Sequence, residues 1–538
     1  VVSSNSKDIT ADTGSAWAPL RHPVYRMLWC AWLTANLCMW MNDVAAAWLM
    51  LSLSDKPVMV ALVQAAATLP VFLLGAPSGA LADILDRRRY FIATQLWVAG
   101  VAAVLCVVAL LGMLTPTLLL LLTFANGIGL AMRWPVFSAL LPELVPRQEL
   151  GRAMALNGVS MNGARVIGPM IAGAVIAWGG TAWVFLINAV LSVLVALALL
   201  RWHRERKVSA LPAERFFGAM RVGFQYVRQS PEMHAVLLRA STFFMFSIAS
   251  IALLPIVAKQ LPGGDASTYT LLLATIGVGA ILAAFLLPRL RQRIGRSDMV
   301  NYGTLANALA TLLLAYAPTI WVAMAALLLA GASWLATANS LSVSVQLVLP
   351  DWVRARGMSV YQMAMMGGTA LGAALWGQVA TLADTRVSLV AAALCAMLAL
   401  VVLARVRIET EGAQDLTPLQ FWNEPELAVP LLPRQGPIMT QLEYQIDVAR
   451  VDEFMQLMQE SRRMRLRNGA LSWELFQDAA DLGHFIEYFV DGSWVEHLRQ
   501  HERVTAHDQA LWEQKLSFHQ GDQAPKVSHY VARRVKRA

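Results

Sequence analysis

Charge is scarce in this sequence. Asp, Glu, Lys and Arg make up 14% of its 538 residues, against about 25% in soluble domains. Mean hydropathy is +0.52. An ordinary soluble globular chain is excluded for most of the length. Cysteine is almost absent too. Cys30, Cys38, Cys106 and Cys395 all fall inside apolar runs and show no disulfide or metal spacing, which leaves packing as their role. The polar stretch through Ala16 lacks a basic–apolar–small cleavage pattern, so no signal peptide is expected. The net charge of +8 would admit a nucleic-acid partner. Its placement argues against one, because the excess lies in short loops and the chain beyond Ile408 is roughly balanced.

What is present is a succession of apolar runs of about 20 residues, the length that crosses a bilayer. The first six cover 27–53, 58–82, 90–112, 117–141, 152–177 and 181–202. The second six cover 236–258, 269–290, 299–317, 321–349, 357–382 and 387–405. The chain divides into an N-terminal segment 1–26, six-helix bundles 27–202 and 236–407, a central loop 203–235, a linker 408–437 and a terminal domain 438–538. Loop basic residues cluster on one side: Arg87 to Arg89, Arg147, Arg152, Arg201 to Lys207, Arg289 to Arg296, Arg354, Arg356 and Arg405. That bias puts both termini in the cytoplasm. In the central loop Phe216, Phe217, Met220, Phe224 and Val227 recur at helical spacing, which predicts an amphipathic helix lying at the cytoplasmic surface.

The connection between the second and third runs reads Gly79-x-Leu81-x-Asp83-x-x-x-Arg87-Arg88. Gly79 permits close backbone approach. Asp83 sits where a carboxylate can accept bonds from the start of a neighbouring helix. A plain basic, topology-setting loop would also read this way. The stretch resembles the loop 2–3 signature of the major facilitator superfamily, departing from it at Asp86, where that family usually has glycine. A degenerate copy at 288–296 keeps the basic charge and lacks the acid.

The two sets of six repeat each other. Arg152, Met154, Gly163, Gly168 and Gly173 are matched in spacing by Arg356, Met358, Gly367, Gly372 and Gly377. Parallel six-span halves with substrate handled between them are what the resemblance implies. Gly163, Gly168, Pro169 and Gly173 also resemble the fifth-span signature of the superfamily's antiporters. Simple close helix packing is the competing reading.

A charge at membrane depth costs at least ~2.5–3.5 kcal/mol on insertion scales, which makes it a functional candidate. Asp43 is the acid placed well inside a span, about 24 Å along its helix, and the second half has none. Arg165 lies about 20 Å into the fifth span, close enough in depth to pair with Asp43 if the helices touch. Arg133 falls in the fourth span, where antiporters of the family carry an arginine. Asp43, Arg165 and Arg133 are the candidates for proton coupling, with Asp83 next. A fixed structural pair is the alternative for Asp43. Arg239 is expected to snorkel from a helix start. Gln64, Gln95, Asn126, Asn157, Asn162 and Asn188 could bond between helices or line a cavity. Trp40, Trp48, Phe72, Trp134, Phe243, Phe244, Phe246, Trp334, Tyr361 and Trp376 could line that cavity or pack.

The terminal domain reads as strand 438–446, helix 451–467, strands 470–476 and 484–491, helices 494–501 and 506–518, and strand 527–535. That is a ferredoxin-like order. It resembles, in fold alone, the dimeric α+β barrels that include small monooxygenases, so the tail is a candidate dimer. His497 and His501 stand four apart with no third ligand, and a solvated face is expected there rather than a metal. Trp473, Phe476, Phe485, Tyr488, Phe489 and Trp494 form either a packed core or a ligand enclosure.

The chain thus reads as an all-α polytopic membrane protein of about twelve spans in two halves, with a small α+β tail. It resembles the major facilitator branch that includes the enterobactin exporter and macrolide-efflux-like proteins, some bacterial members of which carry a tail with a Trp494-x-Glu496-His497-Leu498-Arg499-Gln500-His501-type sequence. The resemblance implies export of a hydrophobic or siderophore-like small molecule by proton antiport from a bacterial inner membrane, with the bilayer and protons as partners and no cofactor. A monooxygenase-like or ligand-sensing tail, and a uniporter or importer without proton coupling, remain open at this point.

Overall fold

The computed structural model describes residues 17–146, 149–201, 216–403, 405–406, 408, 431–521 and 524–533. The first half is built from α1 (Pro23–Leu53), α2 (Pro57–Ile84), α3 (Arg87–Leu110), α4 (Pro116–Leu144), α5 (Leu150–Gly179) and α6 (Thr181–Leu200). A connecting helix α7 (Phe216–Arg228) leads to the second half: α8 (Pro231–Ala252), α9 (Leu254–Gln260), α10 (Ala266–Arg291), α11 (Arg296–Ala315), α12 (Ile320–Val348), α13 (Asp351–Leu382) and α14 (Thr385–Leu403). Among the described residues nine helices are long and apolar enough to cross a membrane, α8 and α9 counting together. The long helices α1, α11 and α13 are not among these nine; each carries polar groups mid-length, such as Asn42, Asn307 and Gln362.

Local chemistry sets the boundaries. Proline occupies the first turn of α1, α2, α4 and α8, where its missing N–H costs nothing. Asp86, Thr115 and Asp265 cap α3, α4 and α10 by accepting backbone N–H groups. The expected single span 236–258 is broken at Leu253, because Pro255 in the next turn cannot continue the hydrogen-bond ladder. The eleventh run begins at Asp351, directly after Pro350, rather than at 357.

The halves meet through α2 against α13 and α5 against α10. Their apolar interiors are arranged unequally. At the end away from the arginine-rich loops a single core spans both halves, from Met41, Met50 and Val60 to Leu253, Leu272 and Trp376. At the arginine-rich end the described residues form two separate cores. One, in the first half, holds Tyr25, Trp32 and Phe137. The other, in the second, holds Tyr226, Phe243 and Val345.

The tail comprises β1 (Ile438–Gln445), α15 (Val451–Arg467), β2 (Ser472–Gln477), β3 (His484–Asp491), α16 (Trp494–Glu502), α17 (Ala506–Leu516) and β4 (Lys526–Val531). Its sheet is antiparallel in the order β2-β3-β1-β4, with Leu442 opposite Glu487 and Val527. Alternation along β1 and β3 turns Leu442, Tyr444, Phe485 and Phe489 into the core with Phe454 of α15. Trp473 joins this core, whereas Phe476 and Tyr488 stack on the other sheet face, centroids 5.6 Å apart.

α7 forms where expected but is not a free surface helix. Val222, Tyr226 and Val227 are buried, and Phe224, assigned above to the apolar face, is exposed. The helix packs against α13, α2 and α8 and against α15 of the tail. Tyr226 donates to the Val348 carbonyl (3.1 Å) and Gln225 to that of Ala470 (2.6 Å). Arg467 lies over the Tyr226 ring at 5.6 Å, and Arg503 over Trp352 of α13 at 4.7 Å. The tail is therefore seated on the arginine-rich end of the second half, through long side chains that local patterning could not assign.

Candidate functional site: the polar interior of the first half and the contact between halves

Membrane-depth polar groups gather in the first half. Asn36, Asn42, Gln95, Arg133, Asn188 and Ser192 are all buried. Asn188 donates to Asn42 (3.3 Å) and accepts from Ser192 (3.2 Å). Arg133 donates to the Ala35 carbonyl (3.3 Å) and lies over the Trp32 ring at 5.3 Å. A void of about 10 Å³ lies between Cys38, Asn126, Arg133, Asn188 and Ser192, the size of one water. Asn126 and Asn188 thus share one interior, whereas Asn162 bonds back to Gly158 of its own helix. Sequence spacing alone left this sorting open.

The proton-coupling candidates do not form one cluster. Asp43, on α1, is partly buried, and among the described residues its carboxylate takes part in no hydrogen bond or salt bridge. Further along the same helix, Trp48 stacks on Tyr269 of α10 across the contact between halves, centroids 6.0 Å apart. Although α1 and α5 do touch, no ion pair joins Asp43 to Arg165. Arg165 instead lies between two indoles, Trp40 of α1 at 5.6 Å and Trp334 of α12 at 4.2 Å.

Arg239 does not snorkel. It is buried, donates to Asn301 and to the Leu403 carbonyl, both at 2.7 Å, and so ties α8 to α11 and to the end of α14. In the loop motif Arg88 donates to the last carbonyls of α6, Leu199 (3.1 Å) and Leu200 (2.5 Å), where a cation also meets the negative helix end. Asp86, the departure from the expected glycine, caps α3 through the Arg89 N–H (3.0 Å). Leu81 packs against the first-half core. Gly79 and Asp83 belong to α2, but their surroundings lie outside the described residues. Of the cysteines, Cys38 and Cys106 are buried; Cys30 and Cys395 face outward.

The fifth-span glycines divide into two kinds. A Cβ on Gly168 would come 2.7 Å from that of Trp40, and one on Gly173 would collide with Thr270 of α10. The repeat partners make equivalent contacts: Gly372 against Met245 of α8, Gly377 against Ala61 of α2. Each half therefore presses one glycine on its own first helix and one on the other half. Gly163 has nothing within 4 Å. Gly163→Ala is expected to be neutral, or to gain up to about 0.5–1 kcal/mol of helix propensity. Gly173→Ala is expected to lower thermal stability in detergent, because the contact between halves must open to admit the methyl. Equal melting temperatures for the two variants would overturn this.

The tail has its own polar centre. Glu487, on β3, accepts from Tyr444 (2.9 Å), Ser461 (2.9 Å), Trp473 (2.8 Å) and Lys515 (3.1 Å), all in the core. His497 and His501 are not on a solvated face. His497 is fully buried, holds Asp491 at 2.8 Å through Nδ1, and meets His501 Nε2 to Nε2 at 3.1 Å. His529 of β4 lies against it, centroids 5.0 Å apart. Burial, then the neighbouring His497 and Arg465, draws the His501 imidazole down to about 3. Burial and His497 draw His529 down to about 4, so both are neutral at physiological pH. Among the described residues no group of three or more His, Cys, Asp or Glu is arranged to hold a metal ion.

Over residues 14–537 the chain matches the family described as transmembrane secretion effector. It is 24% identical over 329 residues to the staphyloferrin A transporter of Staphylococcus aureus, covering 60% of this chain and 81% of that protein. It is 25% identical over 224 residues to macrolide efflux protein A of Streptococcus pyogenes, covering 41% of this chain and 55% of that protein, just over half its length. In fold it is similar to the nucleoside transporter NupG, with a TM-score of 0.58 at 13% identity over 71% of this chain and 98% of the other. It is also similar to a bacterial homologue of the lysosomal transporter Spinster in an inward-facing, unoccupied conformation, with a TM-score of 0.58 at 17% identity over 73% and 98%. The chain is a multi-pass membrane protein and belongs to the transmembrane secretion effector family of major facilitator superfamily transporters.

Proposed function

We propose that this protein is a secondary active exporter in a bacterial inner membrane, crossing it about twelve times with both termini in the cytoplasm. It moves a hydrophobic or siderophore-like small molecule outward in exchange for protons, by rocking its two halves about a shared contact. The observation that carries this reading is the unequal core: among the described residues, one apolar interior is common to both halves at one end and two separate interiors stand at the arginine-rich end. Two rigid bodies hinged at one end are what alternating access requires. The staphyloferrin A transporter and macrolide efflux protein A among its relatives support the substrate class. Asp43, on the helix whose Trp48 stacks on Tyr269 of the other half, and with no ion pair among the described residues, is the proton-carrying group. Arg133 tunes the same interior.

The tail is a ferredoxin-like domain, and its strand order supports that assignment. Phe476 and Tyr530 are exposed on the sheet face that also bears Tyr488, a face that suits a second copy of the tail. Its seat on α7 and α13 favours a role in the transport cycle over a free-standing enzyme.

Inverted vesicles test the reading. An imposed pH gradient is expected to drive uptake of a macrolide or siderophore into vesicles holding the protein, and a protonophore to abolish it. Uptake unaffected by the protonophore would mean a uniporter. Uptake only in right-side-out vesicles would mean an importer.

A further inference from the structure

Arg165 has a role that pairing with Asp43 does not supply. The residue is 8% exposed, next to Val166, which packs on Gly277 of the other half. Among the described residues its guanidinium has neither a hydrogen bond nor an ion pair, only the faces of Trp40 and Trp334. A buried cation without an anion is costly and persists where something else supplies the charge. The helix beneath it is open. Met154, Gly158, Met161 and Arg165 recur at helical spacing on one face of α5. Met154 is exposed, and a Cβ on Gly158 would meet nothing within 4 Å. This face runs from Arg165 toward the arginine-rich end, where the two cores are parted. The two indoles come one from each half, so whatever sits against Arg165 touches both moving bodies.

We infer that Arg165, with Trp40 and Trp334, is the subsite that binds the transported molecule by an anionic group, and that the substrate is a carboxylate-bearing organic molecule with an apolar or aromatic body. The guanidinium fork matches a carboxylate in two parallel hydrogen bonds. The indoles supply flat apolar surface beside it. This deepens the transporter reading and rests on it.

The test uses the full-length protein in nanodiscs and two dyes on one scaffold: fluorescein, which carries a carboxylate, and rhodamine 6G, its esterified cationic relative. Binding is read by quenching of tryptophan fluorescence. Wild-type protein is expected to bind fluorescein at least tenfold more tightly than rhodamine 6G. Arg165→Gln should abolish that preference, Arg165→Lys should keep part of it, and Arg462→Gln, an exposed tail control, should leave it intact. On the wild-type protein alone, benzoate should displace fluorescein and benzamide should not, which keeps the inference testable if Arg165→Gln fails to fold. Unchanged fluorescein affinity in Arg165→Gln, or equal displacement by benzoate and benzamide, would overturn it. If rhodamine 6G is pumped into inverted vesicles while fluorescein is ignored, transport stands and the anionic subsite falls.

Discussion

Asp43→Asn is expected to abolish proton-driven accumulation of substrate in inverted vesicles while the protein still reaches the membrane. Each unit of pH gradient is worth about 1.4 kcal/mol per proton, or roughly tenfold in substrate accumulation. Wild-type vesicles should therefore show an accumulation ratio that follows the imposed gradient, and the variant a ratio near one at every gradient. The reason is chemical. An amide at position 43 keeps the shape and polarity of the side chain but cannot release a proton on one side and regain it on the other. Because Asp43 takes part in no hydrogen bond or salt bridge among the described residues, little structure depends on its charge. Thermal stability in detergent should then be unchanged or slightly higher, since the cost of burying a carboxylate at depth disappears. Counterflow of substrate down its own gradient should survive. A variant that still follows the pH gradient would remove Asp43 from the coupling role. One that loses counterflow and stability together would make it a structural group.

Glu487→Gln is expected to destabilise the tail by about 3–5 kcal/mol, the size seen when one partner of a buried ion pair is removed. The pair is fully enclosed, Lys515 Nζ to Glu487 Oε2 at 3.1 Å. Burial by itself would raise the Glu487 carboxyl. Lys515, Arg465 and the hydrogen bonds from Trp473 and Tyr444 outweigh that and hold it at about 2. Burial in turn draws the Lys515 ammonium down to about 8 against the pull of Glu487. Removing the carboxylate leaves that ammonium in the core with no counter-charge. Glu487→Gln combined with Lys515→Met should recover much of the loss, and a double-mutant cycle would read the coupling directly. The pH dependence follows from the same shift. A carboxylate held below its ordinary 4.5 contributes stability that is fully present above about pH 4.5 and is lost as pH falls toward 2. Acid unfolding of the wild-type tail should fall in that window, and the Glu487→Gln variant should lack this component. Proteolysis of the tail in the full-length protein, followed against pH, checks both. Equal resistance of variant and wild type would show that the network has no such weight.

Much of the fold was legible because bilayer and sheet impose strong periodicities. Runs of about 20 apolar residues have few alternatives. The tail helix at 451–467 and the strand at 484–491 fall on their expected boundaries, since their 3.6- and 2-residue periods are clean. The repeated glycines were legible as a register. Which of them bear contacts was not, because Gly163 and Gly173 look alike until Thr270 of another half is brought beside one of them. The same limit applied to charge. Arg239 near a helix start reads as a snorkelling side chain until Asn301 and the Leu403 carbonyl are found around it. His497 and His501 read as one exposed face until Asp491 and His529 close over them.

Composition and spacing alone determined that this chain lives in a membrane, in two repeated halves with a small α+β tail, because hydropathy, span length and repeat register are properties of the chain itself. Tertiary structure decided that Arg165 stands between indoles of both halves rather than beside Asp43. It decided that the tail is seated on α7 and α13, and that among the described residues the two halves share one core at one end and keep two at the other. Those facts depend on residues more than a hundred positions apart, and no local pattern carries information about which distant surface a side chain will meet.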